Sequence, residues 1–237
     1  MSTGSGKAYR PFLALLAVVL ANSGSWAARL WAEEQPSVIE GTVTYRADPS
    51  RPWRYGRYYI KQVKTGELAE AVVTLRGGKL ADGGDKPPAR TVTIDQKNFQ
   101  FLPETVAIRV GDSVKFTNSD QATHNVQVSG DIASLNVTMP AGGSHTARFD
   151  RAGGIRQPLK VGCVFHSAMQ AWIFVFDHPH FQLTPQDGRF RLEGVPPGEY
   201  ELEMVHPAGE LRWRKRVSVA AGQTLHVDIS VSPDDKK

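Results

Sequence analysis

The sequence predicts an all-β protein made of two small β-sandwiches. Fifteen prolines and twenty-two glycines are spread along 237 residues, with β-branched runs between them. This composition is typical of many short strands joined by tight turns. No segment shows a helical period over more than about two turns. A chain of this length has room for one large domain or two small ones.

The first 27 residues have the pattern of a secretory signal peptide. Lys7 and Arg10 form a charged start, the run from Pro11 to Ala21 is apolar, and Ser25-Trp26-Ala27 is a small-x-small cleavage site. The apolar run is too short for an ordinary transmembrane helix, which disfavours the alternative of an uncleaved anchor. We therefore expect residues 1–27 to be removed. The mature protein is then periplasmic or secreted and has no membrane span after cleavage.

The chain is only mildly basic. Its formal net charge is +4, and two of its cations, Lys7 and Arg10, leave with the predicted signal peptide. A nucleic-acid surface would show a basic stripe with interleaved aromatic residues, and no such stripe recurs in the sequence. We expect no nucleic-acid partner.

Two strands are predicted ahead of a linker. Val38–Tyr45 alternates apolar and polar residues, and Ala69–Arg76 is rich in β-forming residues. Between them, Arg46–Gln62 is rich in Arg, Tyr and Trp, and we interpret it as a surface loop, either a partner contact or a solvated insertion. Residues 77–89 contain two glycine pairs and Pro87-Pro88, which indicate a polar linker.

From Ala89 onwards, strands follow one another at regular spacing. The turn signals between them are Val110-Gly111-Asp112, Pro140-Ala141-Gly142-Gly143 and Ala152-Gly153-Gly154. Seven or eight short strands in about 90 residues predict an antiparallel sandwich over residues 90–180. The predicted strands are Thr91–Asp95, Glu104–Val110, Ser113–Asn118, His124–Ser129, Ser144–Phe149, Pro158–Cys163 and Ala171–Asp177.

The C-terminal part is again rich in strands. Val195-Pro196-Pro197-Gly198 and Ala220-Ala221-Gly222-Gln223 are turn signals. The predicted strands around them are Asp187–Leu192, Gly198–Met204, Arg212–Val219 and Thr224–Val231.

The chemistry of the chain centres on Cys163, the single cysteine of the sequence. His166 follows three residues later and Met169 three after that. Thiolate, imidazole and thioether are soft ligands that suit copper, where a weak axial Met completes a His₂Cys site. His124, which opens a predicted strand, supplies the second histidine. Taken singly, a lone cysteine is more often a small buried hydrophobe, and a lone histidine a surface or core residue.

The predicted export adds to this argument. One cysteine cannot form an intramolecular disulfide, so the thiol of an exported chain would be open to oxidation unless something engages it. A bound metal would engage it.

Residues 90–177 resemble the cupredoxins, the small blue-copper proteins that include plastocyanin and amicyanin. The three-residue steps around Cys163 are similar to the short ligand loop of amicyanin. The shared features are Phe-x-Pro at Phe101–Pro103, Val110-Gly111-Asp112-Ser113-Val114-Lys115-Phe116, Asn118, Asp120, His124-Asn125, Pro140-Ala141-Gly142 and Cys163-x2-His166-x2-Met169.

The resemblance implies a Greek-key β-sandwich with one type 1 copper. The ligands would be His124, Cys163, His166 and Met169, with Met169 as the weak axial ligand. Asn125 would form a supporting hydrogen bond across to the cysteine loop. The resemblance also implies an apolar collar around His166, made by Met139, Ala141, Val164, Phe165 and Ala168.

Four other histidines are interpreted as structural or surface residues. His178-Pro179-His180 resembles the His-x-His pairs of multicopper oxidases, which need four such pairs where this chain has one. His145 and His206 lie in strand-forming segments without a visible partner ligand. The sequence shows no Ser-His-Asp order, phosphate-binding glycine loop or zinc-type cysteine pair. We therefore predict that the protein is not an enzyme.

The segment Thr184–Leu202 resembles the carboxypeptidase regulatory-like domain, a small transthyretin-like β-sandwich. In that family, a Gly-x-Val strand and an Ala-x-Val-x-Leu strand precede an Asp-Gly-x-Phe hairpin. Here the matching Gly41-Thr42-Val43 and Ala71-Val72-Val73-Thr74-Leu75 lie far upstream. The two-part pattern resembles proteins labelled plastocyanin-like or methylamine-utilisation proteins.

We predict from this order that the cupredoxin, residues 90–180, is inserted into the regulatory-like sandwich. That sandwich is then discontinuous and comprises residues 37–76 plus 181–233. Insertion is tolerated because the termini of a domain often lie close together. The alternative is a separate C-terminal module, with the N-terminal strands belonging to the cupredoxin.

The function predicted from these features is an exported one-electron carrier that cycles between Cu(I) and Cu(II). Its partner would be a redox protein such as a c-type cytochrome or a dehydrogenase. A copper chaperone or scavenger would use the same ligands and stays an alternative. A third is a non-catalytic binding module on the regulatory-like sandwich, with an aromatic face around Trp53, Tyr55, Tyr58 and Tyr59.

Overall fold

A computed structural model of the chain describes residues 1, 37–46, 50, 65–78, 80 and 88–232. These residues form strands and turns without a helix, which confirms the predicted all-β fold. Within this described part, no helix has the length and apolarity that crossing a membrane requires. The predicted signal peptide, nearly all of Arg46–Gln62 and most of the 77–89 linker lie outside the described residues.

The described residues contain strands numbered here in chain order. They are β1 (Ser37–Tyr45), β2 (Val72–Arg76), β3 (Thr91–Lys97), β4 (Gln100–Leu102), β5 (Thr105–Arg109), β6 (Ser113–Asn118), β7 (His124–Ser129), β8 (Leu135–Met139), β9 (Ser144–Arg148), β10 (Leu159–Gly162), β11 (Gln170–Phe176), β12 (Phe181–Leu183), β13 (Arg189–Val195), β14 (Gly198–His206), β15 (Leu211–Val219), β16 (Thr224–His226) and β17 (Ile229–Val231).

Strands β3 to β11 form the central sandwich. Its two sheets have the orders β5-β11-β10-β7-β8 and β4-β3-β6-β9. Alternation along each strand builds the core between them, as in β6, where Val114 and Phe116 are fully buried and Lys115 between them is exposed. Burying such apolar faces contributes about 25 cal/mol per Å².

The prediction of a purely antiparallel central sandwich is wrong in two places. β3 pairs in parallel with β6, and β5 pairs in parallel with β11. In each case the intervening chain passes through the opposite sheet, so the two strands return in the same direction. This is how a Greek-key arrangement produces parallel neighbours without a helical crossover.

Strands β1, β2 and β12 to β17 form the terminal sandwich. One sheet has the order β12-β2-β14-β15, and in the other β1 lies beside β13, β16 and β17. The apolar residues of both sheets form one buried cluster, separate from the core of the central sandwich.

The predicted strand Thr224–Val231 is broken into β16 and β17. Both halves pair in parallel with β1, and Val227 and Asp228 lie between them. The backbone approaches closely here, because a Cβ on Gly41 of β1 would lie 2.0 Å from the carbonyl oxygen of Val227. A glycine is therefore required at position 41.

The central sandwich lies, in sequence, between two strands that are neighbours in space. β2 and β12 pair antiparallel, with Thr74 opposite Phe181. The N–H of Leu75 also donates to the carbonyl of His180 at 3.2 Å. The chain therefore leaves the terminal sandwich at the end of β2 and returns beside the same strand.

The two sandwiches pack against each other through an apolar cluster. Phe174 and Phe176 of β11 lie with Ile155 against Val72 and Val205 of the terminal sandwich, and all five are buried. At its edge, the N–H of Thr105 donates to the carboxylate of Glu70 at 3.0 Å. Arg156 donates to Glu203 at 3.4 Å. The contact is thus an apolar sheet-on-sheet packing with polar bonds around it.

Two predicted strands, Ser113–Asn118 and His124–Ser129, match β6 and β7 residue for residue. The prediction missed β4, β8 and β12. β4 and β12 have three residues each, and β8 is an edge strand whose alternation leaves only Met139 fully buried. Such short or solvated strands carry little periodic signal.

Candidate metal centre

Three potential ligand side chains meet at one end of the central sandwich. The donor atoms of His124, Cys163 and His166 all lie within 4.8 Å of one another. The two Nδ1 atoms of the histidines are 3.1 Å apart, and the Sγ of Cys163 is 3.6 Å from Nδ1 of His166. His124 is fully buried, Cys163 is 6 % exposed, and His166 is half-buried.

Strand pairing brings these distant residues together. β7 and β10 are antiparallel neighbours, with Gly162 opposite Gln127. His124 is the first residue of β7 and Cys163 directly follows β10, so both lie at the same end of this pair. His124 and Cys163, about forty residues apart in sequence, are thus brought close together.

The spacing of the ligand loop is explained by two successive turns. The N–H of His166 donates to the carbonyl of Cys163 at 3.3 Å, and the N–H of Met169 donates to the carbonyl of His166 at 2.9 Å. Each three-residue step therefore closes one turn. Met169 is 1 % exposed and belongs to the same core cluster as Cys163.

Asn125 ties the cysteine loop to β7 and β8. Its backbone N–H donates to Sγ of Cys163 at 3.3 Å, and its side-chain oxygen accepts from the N–H of Val164 at 3.4 Å. Its amide nitrogen donates to Asn136 Oδ1 at 2.7 Å and to the carbonyl of Val137 at 3.1 Å. Such supporting bonds hold a ligand loop in one geometry.

Asp120 orients His124. Its Oδ2 lies 2.8 Å from Nε2 of His124, so the ring proton is placed on Nε2 and the lone pair of Nδ1 faces Cys163 and His166. The hydrogen bond from the N–H of Phe99 lowers the pKa of Asp120, and the bonds from His124 and Asn98 act in the same direction, outweighing burial. The carboxylate is therefore ionised at neutral pH.

Phe99 packs against the rings of both histidines. Its ring centroid is 5.3 Å from that of His124 and 4.9 Å from that of His166, nearly perpendicular to both. Asp120 is among the shared features of the cupredoxin resemblance but had no predicted role, and Phe99 was not singled out. For Asp120, its position four residues before His124 was the available signal, and for Phe99 nothing in the sequence marks the contact.

The apolar collar is only partly as predicted. Val164 and Phe165 are more than half exposed beside His166, and Ala141 and Ala168 are exposed as well. Met139 is wrong as a member, because it is 2 % exposed and pairs with His124 across β7 and β8. Its sulfur accepts a hydrogen bond from the Gln96 amide at 3.4 Å, beneath the site.

The remaining five histidines, His226 among them, lie outside the cluster. His178 and His180 stack with a centroid distance of 6.2 Å, and burial lowers the pKa of both. Burial also lowers the pKa of His206 to about 4. Among the residues that the structure describes, His124, Cys163 and His166 make the single group of three or more His, Cys, Asp or Glu side chains suited to a metal.

The donor set fits copper. Two imidazole nitrogens with one thiol sulfur form the trigonal set that copper takes in electron-transfer sites, usually with a distant methionine. Zinc sites with one cysteine and two histidines usually keep a fourth strong ligand or a water, whereas a buried methionine follows here in the loop. The residues therefore match the metal that the sequence predicts.

Comparison with known proteins agrees with this donor set. Residues 88–176 match the family described as copper binding proteins, plastocyanin/azurin family. The match and the His-Cys-His cluster confirm copper as the predicted cofactor and the cupredoxin part of the predicted resemblance. No match to the chain was found among curated proteins.

Solved structures with similarity to the chain include several amicyanins. A Cu(I) form of an amicyanin variant is 19 % identical, with 44 % of this chain and 97 % of that chain covered and a TM-score of 0.32. Amicyanin from Paracoccus versutus is 24 % identical, with 44 % and 96 % covered and a TM-score of 0.32.

A copper-containing nitrite reductase from Thermus scotoductus is 19 % identical, with 43 % of this chain and 25 % of that chain covered and a TM-score of 0.33. The regulatory-like resemblance of the terminal sandwich stays a prediction. The central sandwich, over residues 88–176, is the part of the chain that is similar to the plastocyanin/azurin family of copper binding proteins.

Proposed function

We propose that the protein is an exported copper protein that carries single electrons between redox proteins and catalyses no reaction itself. His124, Cys163, His166 and Met169 would hold one type 1 copper. The convergence of two Nδ1 atoms and one Sγ within 4.8 Å is the observation that carries this proposal.

Bound there, copper would supply a one-electron couple between Cu(I) and Cu(II). The residues around the site supply rigidity. Asn125 holds the cysteine loop through its backbone and its side chain, and Asp120 holds the ring of His124. A site that keeps the same ligand positions in both oxidation states has little to reorganise, which favours electron transfer over ligand exchange.

The surface near the site suits a protein partner. His166 is the half-buried member of the cluster, and the exposed side chains of Val164 and Phe165 lie next to it. An apolar surface of this kind can be desolvated readily when a partner docks. We infer that a redox protein, such as a c-type cytochrome or a dehydrogenase, approaches here.

We also infer that the central sandwich is inserted into the terminal one. Residues 37–76 and 181–233 would form one discontinuous domain, and residues 90–180 the copper domain. The adjacency of β2 and β12 supports this arrangement, because the inserted chain then starts and ends at one antiparallel pair. The apolar cluster around Phe174 would hold the two domains in one orientation.

Burial argues against a copper chaperone or scavenger. His124 and Cys163 are almost fully buried, whereas handing over a metal requires ligands that an acceptor can reach. The alternative of a binding module on the aromatic loop concerns residues outside the described part.

The test is the absorption spectrum of Cu(II)-loaded protein beside that of Cys163→Ser. An intense visible band from thiolate-to-copper charge transfer is expected in the wild type and should be lost in Cys163→Ser. Mixing the reduced protein with oxidised c-type cytochrome should reduce the cytochrome while copper stays bound. A colourless Cu(II) form with an intact thiol, or copper release without electron exchange, would overturn the proposal.

A further inference from the structure

Two residues beside the metal centre have an unusual backbone. Asn98 has φ 55° and Phe99 has φ 58°, so two consecutive non-glycine residues adopt the left-handed conformation. This conformation is unfavourable for L-residues, and Asn tolerates it better than Phe. Lys97 and Gln100 pair on either side of these two residues, and the tight turn of a two-residue hairpin requires positive φ at both positions. Phenylalanine is an unusual residue for such a turn.

Asp120 holds this turn in place. Its carboxylate accepts the N–H of Asn98 at 2.7 Å and the N–H of Phe99 at 3.0 Å. The same carboxylate lies 2.8 Å from Nε2 of His124. One side chain therefore sets the position of Phe99 and of His124 together.

The Phe99 side chain is not placed by burial alone. It is 51 % exposed, yet it contacts both histidine rings in perpendicular geometry. Phe165 is 55 % exposed and lies 6.5 Å from His166, and its ring makes no contact with His124 among the aromatic pairs of the described residues. Perpendicular aromatic contacts are favourable and directional.

We propose that Phe99 is a positioning residue for the metal centre. Its ring holds the imidazoles of His124 and His166 in the orientation that directs both Nδ1 atoms towards Cys163. It also covers the outer side of these rings and keeps water and small anions away. The inference rests on the proposed function in that copper is bound by these histidines.

The variant that tests this is Phe99→Gly, with Phe165→Ala as its matched control. Glycine adopts φ near 58° without strain, so Phe99→Gly removes the ring while easing the backbone. The melting temperature of the metal-free variant should therefore stay near that of the wild type. Phe165→Ala removes a similarly exposed ring that contacts His166 but not His124 among the aromatic pairs of the described residues.

Phe99→Gly should weaken Cu(I) binding about two- to tenfold, the equilibrium counterpart of one lost aromatic contact. Competition with a chromogenic chelator measures this. The reduction potential should shift, and azide should perturb the visible spectrum of Cu(II)-loaded Phe99→Gly but leave the wild type and Phe165→Ala unchanged. If Phe99→Gly behaves like Phe165→Ala in all three measurements, the proposal is wrong.

A metal-free measurement separates this inference from the proposed function. Nuclear Overhauser contacts between the ring protons of Phe99 and those of both histidines are expected in the metal-free wild type. Their absence overturns the positioning role whatever the copper chemistry. Their presence in a protein without the intense copper band would support the positioning role and contradict the proposed function.

Discussion

The backbone N–H of Asn125 donates to the Sγ of Cys163 across 3.3 Å, although 38 positions separate the two residues. Asn125 directly follows His124, so one peptide segment of β7 carries a potential ligand and supports another. A hydrogen bond to sulfur stabilises the thiolate form that a metal requires. The Asn125 side chain then continues the link to Val164 and β8.

Replacing Asn125 by alanine should loosen the cysteine loop. The change keeps the backbone bond to sulfur but removes the side-chain bonds to Val164, Asn136 and Val137. Because a buried side chain loses three hydrogen bonds, the free energy of unfolding of the metal-free protein should fall by about 1–3 kcal/mol. Urea unfolding measures the loss. Asn136→Ala, which breaks one of these bonds, should cost less, and equal losses would contradict this account.

Asp120→Ala should lower the affinity of the protein for copper. The change removes the acceptor for Nε2 of His124 and the two acceptor bonds that hold the Phe99 turn. Loss of such a supporting carboxylate typically costs about 10- to 100-fold in metal affinity. Cu(I) competition titration measures it. Asp150→Ala, which removes an exposed carboxylate paired with Arg148, should leave the affinity unchanged.

The stability of the terminal sandwich should depend on His206. This side chain is buried, its Nδ1 accepts the N–H of Gly209 at 3.1 Å, and burial lowers its pKa from 6.5 to about 4. Between pH 6.5 and pH 4, the unfolded chain therefore binds a proton at His206 that the native protein does not bind. The free energy of unfolding is highest above pH 6.5 and declines as the pH falls towards 4. The loss should reach roughly 3 kcal/mol.

His206→Asn isolates this effect, because asparagine can still accept from Gly209 but does not titrate. Urea unfolding of both metal-free proteins from pH 7.5 to pH 4 should show a smaller decline for the variant. His226→Asn, at an exposed position, should retain the wild-type decline. If the free energy of unfolding of His206→Asn declines with pH as steeply as that of the wild type, His206 is not the group responsible.

The packing between the sandwiches should depend on apolar contact rather than on its ion pair. Phe174 is fully buried at this contact, and truncating such a residue to alanine costs about 3–5 kcal/mol. Arg156 is 55 % exposed and Glu203 keeps a second partner, Arg76, so Arg156→Ala should cost less than about 1 kcal/mol. Urea unfolding measures the free energy of unfolding of both variants. A larger loss for Arg156→Ala than for Phe174→Ala would contradict this prediction.

Local sequence patterns were sufficient to predict most strands of the central sandwich. β6 and β7 were predicted to the residue because each has clear alternation bounded by a turn signal. The three-residue spacing of Cys163, His166 and Met169 corresponds to two hydrogen-bonded turns in the structure. Turns of this kind depend only on residues that are neighbours in sequence. The edge strand β8 was missed because its alternation leaves only Met139 buried. The break between β16 and β17 was missed because it depends on β1, which lies far away in sequence.

By itself, the sequence determined the strand-rich fold class, the types of ligand and the copper chemistry that they suit. These follow from side-chain chemistry and short-range periodicity. Only the tertiary structure decided that Asp120 and Phe99 join the site and that Met139 is buried beneath it instead of lying on the collar. The left-handed turn at Asn98 and Phe99 is stabilised by a carboxylate more than twenty positions away, and a long-range bond of this kind leaves no periodic trace in the chain.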